Sequence, residues 1–180
     1  MADQLFTRAL IVTLVIWRSC AEALCGEIND AARTGDLAKV AALLKENPAL
    51  ISSPAFDGWT PLDEAADNGY LSMAKLLVAS GADTSVRGKG GRSPLYLAAM
   101  YDHRDIVKLL VTHRASVNTK DDDGVTPLHL AAWHGYADVA KLLLAHGADV
   151  NARDKSGETP LDWAMKRGDN RMQKLLMHNF

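Results

Sequence analysis

Six histidines, a triple aspartate and a cluster of glycines are the residues of this chain whose types could support metal or phosphate chemistry. A zinc site built on a helix needs ligands at a spacing such as His-Glu-x-x-His, and none of the histidines falls in such a pattern, including His103 and His134, which read as exposed near helix ends. Asp121-Asp122-Asp123-Gly124 has the acidity of a calcium loop but lacks the glutamate at the twelfth position, so it reads as a solvated turn. Gly88, Gly90 and Gly91 in "RGKGGRSP" do not have phosphate-loop spacing, and there is no Gly-x-Ser-x-Gly or dinucleotide fingerprint. The expectation is a non-enzymatic chain that needs no cofactor and no metal.

The elements that carry these residues follow one period. Thr60-Pro61, Ser93-Pro94, Thr126-Pro127 and Thr159-Pro160 stand 33 residues apart, and each is followed by leucine. A glycine precedes each by two positions (Gly58, Gly91, Gly124, Gly157), and a small pair follows at Ala65-Ala66, Ala98-Ala99, Ala131-Ala132 and Ala164-Met165. A fixed period of this length means stacked units, each too thin to bury its apolar face alone. The Thr or Ser hydroxyl can cap a helix N-terminus, and proline at the first helical position loses no needed donor. Each unit therefore starts a short helix there, and the alanine pair lets a second helix approach closely. That second helix carries the aliphatic stripe, as at Met73, Leu76 and Leu77.

Thr-Pro-Leu-His at residues 126–129, the Ala-Ala pairs, the Gly-Ala-Asp corners and the 33-residue spacing together resemble the ankyrin repeat, over residues 27 to 180. The resemblance implies an all-α solenoid of five helix-turn-helix units joined by β-turn tips. The units read as an N-terminal cap at 27–53, repeats at 55–87, 88–120 and 121–153, and a C-terminal cap at 154–180. The first lacks the Thr-Pro start and sits 34 residues from the next Ala-Ala pair, with Pro48 and Pro54 in the joint. The last carries Arg171, Gln173 and Lys174 as a polar outer face. In the third unit, Asp102 and Arg114 stand where neighbours have glycine, which marks the softest part of the array.

Ankyrin arrays bind proteins through a concave surface of turn tips and first-helix ends, so the resemblance implies a protein partner and says where to look. The tips offer Phe56, Asp57 and Trp59, then Lys89 and Arg92, then Asp122, Asp123 and Val125, then Lys155 and Glu158. The helix ends add Asp67 and Asn68, Met100 and Tyr101, Trp133 and His134, and Lys166 and Arg167. Trp59, Tyr101 and Trp133 are of the residue types that contribute about 2 kcal/mol or more when they fill a partner pocket. Each tryptophan also has a packing reading, Trp59 over the neighbouring tip and Trp133 along its own helix end. Trp163 stands where other units have Leu97 and Leu130 and reads as packing. The resemblance gives His129 a structural hydrogen-bonding role.

The leader is a different kind of sequence. Arg8 and Arg18 bracket an apolar run from Ala9 to Trp17, followed by Ala21-Glu22-Ala23, which is the order of a secretory signal peptide at residues 1–23. As a helix the run would be about 14 Å long against a hydrocarbon core of about 30 Å, so stable membrane insertion is not expected. The alternatives are an uncleaved membrane anchor, which would make the chain a tethered regulator of a membrane protein, and an extra amphipathic helix. Cleavage leaves at most Cys25, so no internal disulfide is available. With 48% hydrophobic and 23% charged residues and a net charge of −2, the composition is that of an ordinary globular protein with no nucleic-acid signature. The expectation is a secreted or periplasmic, monomeric protein-binding scaffold.

Overall fold

A computed structural model describes residues 25–55 and 58–178. The proposed leader, Phe56, Asp57 and the last two residues lie outside the described residues. Residues 25–34 are helical (α1) and are followed by α2 (Leu37–Glu46), α3 (Pro61–Asp67), α4 (Leu71–Ala79), α5 (Pro94–Met100), α6 (Arg104–Thr112), α7 (Pro127–His134), α8 (Ala137–Ala145), α9 (Pro160–Arg167) and α10 (Asn170–Met177). Among the described residues there is no strand. Odd-numbered helices from α3 to α9 pack in one row, and α4, α6, α8 and α10 pack in a second row behind them. The chain is thus a two-layer, all-helical solenoid.

Each first helix begins where its chemistry requires. The hydroxyls of Thr60, Ser93, Thr126 and Thr159 accept the backbone N–H three residues on, and proline follows at the first helical position. The alanines of the three pairs from Ala65 to Ala132 are wholly buried, so helices of the two layers meet nearly backbone to backbone. Leu77, Leu110, Leu143 and Leu176, one per unit at the same register, are also wholly buried. Each contributes about 1.5–3 kcal/mol relative to an exposed leucine. The joint after the first unit is a 3₁₀ turn, Pro48–Ser52, capped by Asn47 and pinned by the buried Leu50. Pro48 opens that turn and Pro54 follows it, and the leucine anchors the joint.

The last unit corrects the expectation of a polar outer face. Arg171 and Lys174 are exposed, and Gln173, where other units bury Ala74, Val107 and Ala140, turns its amide to the Ala164 carbonyl at 3.4 Å. Met165, however, is 55% exposed at the register of the fully buried Ala66, Ala99 and Ala132. Leu161 beside it is only half-buried. The end face is therefore mixed, with apolar positions that interior units cover by stacking.

Asp102 and Arg114 have φ of 59° and 63°, the only non-glycine residues in the left-handed region among those described. A side chain there costs roughly 1–2 kcal/mol, less for Asp. Arg114→Gly should raise stability by about 1 kcal/mol and Asp102→Gly by less, read as urea midpoints. A lower midpoint in both variants would contradict the geometry.

Candidate functional site

The tips are built by one repeated set of bonds. Trp59, Arg92, Val125 and Glu158 carbonyls accept the amides of Ala55, Gly88, Asp121 and Asp154, each closing a tight turn. Asp121 Oδ1 accepts the amides of Asp123 and Val125 at 2.9 and 2.8 Å, and Asp154 Oδ1 accepts that of Glu158 at 2.9 Å. The tips also bond to one another, Asp122 N–H to Gly90 O at 2.9 Å and Lys155 N–H to Asp123 O at 2.8 Å. Close approach depends on Gly124, where a Cβ would meet the Lys155 amide nitrogen at 3.0 Å. Beneath them Arg87 donates to the Lys120 carbonyl at 2.7 Å and Lys120 to the Arg153 carbonyl at 2.9 Å. The tips at residues 88–92, 121–125 and 154–158 thus form one continuous strip rather than independent loops.

Two first helices, α5 and α7, are tied to this strip by the side chain three residues past the cap. His129 Nδ1 accepts the Thr126 amide at 3.2 Å, so the proton sits on Nε2, which donates to the Glu158 carbonyl of the next tip at 3.0 Å. Tyr96, at the same register, donates its hydroxyl to Asp121 Oδ2 at 2.9 Å, and burial with that carboxylate raises the phenol well above its ordinary range. Asp63 and Asp162 at this register accept the amide and hydroxyl of their own caps. Those bonds to Thr159 hold the Asp162 carboxyl below its usual value.

The expected site residues divide into display and packing. Tyr101 and Trp133 are 48% and 42% exposed at successive helix ends, and Trp133 meets Trp163 edge to face at 5.9 Å. Trp163 is in turn fixed by its indole N–H on Asp154 Oδ2 at 3.0 Å and by His129 at 5.3 Å. Asn68, Lys89, Asp122, Asp123, Lys155, Lys166 and Arg167 are exposed, while Met100, His134 and Glu158 are half-buried. His134 stacks on Tyr136 at 5.2 Å, and Lys166 pairs with Glu158. Asp67 is half-buried too; burial raises its carboxyl, against the pull of His103 and Arg92.

Three readings change. Val125 is buried, not displayed, because the residue before the cap lies where the tip folds back on the first helices; Trp59, Arg92 and Glu158 at that register are all half-buried. Trp59 lies over the next tip, with its Cδ1 2.6 Å from where a Cβ on Gly88 would stand, which favours the packing account for this tryptophan. His103 is not an exposed helix-end residue: it is half-buried with its ring against Gly69, and its Nε2 is 3.0 Å from the Asp67 carbonyl. Tyr96 went unremarked in the sequence, although its register with His129 was the available signal. Among the described residues no three His, Cys, Asp or Glu are grouped to hold a metal ion.

The comparisons agree with this architecture. A family model described as "Ankyrin repeats (3 copies)" matches residues 81–154 and 122–180, and one described as "Ankyrin repeat" matches residues 57–89. A 72-residue stretch is 32% identical to the NAD-capped RNA hydrolase NUDT12 of Homo sapiens, covering 40% of this chain and 16% of that protein. The Macaca fascicularis protein of the same name gives the same figures, and that of Pongo abelii is 33% identical over 63 residues, 35% of this chain and 14% of that protein. Only about a sixth of these relatives is matched, so the hydrolase in their name is theirs.

Burial lowers the affinity of His129 for a proton below that of an ordinary histidine at 6.5. The unfolded chain then takes up the proton first as pH falls through 6.5, so stability should drop as pH goes below 6.5, by up to about 1.4 kcal/mol per pH unit. His129→Gln should flatten the melting temperature across that window. An unchanged slope in the variant would show that His129 is not the group responsible.

Proposed function

The chain belongs to the ankyrin-repeat family, and we propose that it is a non-enzymatic, exported, monomeric scaffold that binds a protein partner through the strip of tips and first-helix ends. The observation that carries this reading is the pair of aromatic side chains, Tyr101 and Trp133, left exposed on successive units beside tips already bonded to one another. Solenoid stacking needs neither ring at the surface, and large aromatics in such places are the usual anchors of an interface. A strip ordered before binding loses little conformational entropy on association. Export is supported by the order of Arg8, the apolar run and Ala21-Glu22-Ala23. Among the described residues no helix is long and apolar enough to cross a membrane.

A photo-crosslinking residue placed at 133 should capture a discrete partner in the native host, and one at 108, exposed on the second-helix layer, should not. With that partner, Trp133→Ala should weaken binding by about 2 kcal/mol and barely move the melting temperature. Capture from position 108 alone would reject the surface. For export, the mature protein should be soluble and begin at Leu24 or Gly26; a full-length cytoplasmic or membrane-bound species would reject it.

A further inference from the structure

Some charges of the concave strip are paired within the chain and others are not. Among the described residues the tip acids have partners within the chain: Asp121 has Tyr96 and two amides, Asp122 has Arg87 at 3.8 Å and Asp123 has Lys155 at 3.8 Å, Asp154 has Trp163 and the Glu158 amide, and Glu158 has Lys166. Lys89, Arg92 and Arg167 have no carboxylate within ion-pair distance among the described residues. Arg92 is the most constrained of the three. Its guanidinium carbon lies 5.7 Å from the centre of the Tyr96 ring, and its Nε is shielded from solvent with no acceptor among the described residues. A guanidinium held in place without an acceptor is a ready planar fork for a carboxylate. Asp67, the acid on this side of the strip, influences it only at longer range.

We propose that the concave strip receives an acidic partner segment, with a partner carboxylate on Arg92, flanking acids near Lys89 and Arg167, and an apolar side chain against Trp133 and Met100. This rests on the concave-face reading above and adds to it the charge of what is bound. Complementary charge speeds encounter and rejects basic segments more than it adds affinity, so the preference weakens with salt.

The test uses the full chain and two labelled peptides of equal length, one alternating glutamate with leucine and one lysine with leucine, followed by fluorescence anisotropy at low salt. The glutamate peptide should bind about tenfold more tightly than the lysine peptide, as a charge-assisted contact implies. Arg92→Gln should abolish most of that preference, Arg92→Lys should restore only part of it because the fork is lost, and Lys108→Gln should leave it intact. Melting temperatures confirm that each variant is folded. Equal affinity for the two peptides, no binding of the glutamate peptide, or an unaltered preference in folded Arg92→Gln would overturn the proposal. If a peptide of either charge binds, and Trp133→Ala weakens it while Arg92→Gln does not, the acidic assignment fails and the concave-face reading survives. Binding that neither variant weakens contradicts both.

Discussion

The structure depends on the side chain three residues past each helix cap, which holds its own cap, reaches the neighbouring unit, or, at His129, does both. His129 accepts from Thr126 on one ring nitrogen and donates to the Glu158 carbonyl from the other, and Tyr96 reaches Asp121 from the same register. At His129 the cap hydroxyl, the ring and the next tip carbonyl are bonded in series, so the rise to the next unit there is set by hydrogen-bond lengths as well as by packing. The buried alanine pairs remove the bulk that would otherwise hold the helices apart. Leucines at matching registers then supply most of the apolar stabilisation. Asp63 and Asp162, at the register of His129, instead accept both the amide and the hydroxyl of their own caps.

That arrangement explains why much of the fold was legible in the sequence. Thr-Pro starts, alanine pairs and aliphatic stripes act within a unit, so their periodicity reports them directly. The left-handed backbone at Asp102 and Arg114 was readable for the same reason, since aligned units have glycine there. What the sequence concealed lies between units. Val125 looked like a displayed tip residue because its register holds Trp59, Arg92 and Glu158, yet the depth of that position is fixed by how the tip folds back onto the first helices. His103 looked exposed because its neighbour Tyr101 is, whereas its ring is used against Gly69 of the preceding unit. The outer face of the last unit is mixed for a related reason: Met165 stands at a register that stacking covers everywhere else.

Function follows from the same bonds. A row of free loops would have to be ordered by a partner, at about 1–2 kcal/mol per residue fixed. Here the tips are bonded to one another and to the helices beneath, so the surface carrying Lys89, Arg92 and the helix ends Tyr101 and Trp133 exists in one arrangement beforehand. Charges that the fold itself uses, such as Asp121 and Asp154, are held by amides and ring donors. Lys89, Arg92 and Arg167 are among those left without an ion partner in the described residues, which adds cationic points to the shape of the strip. Exposed pairs such as Arg87 with Asp122 add little to stability, so the tip charges are free to be shaped by recognition.

Amide hydrogen exchange of the free protein tests the claim of a preformed strip most directly. The Asp122 and Lys155 amides, which bond to the neighbouring tips, should exchange at least about a hundredfold more slowly than in an unstructured peptide, before any partner is added. Exchange of both at the unprotected rate would show that the tips open independently, and the account of rigid display would be wrong.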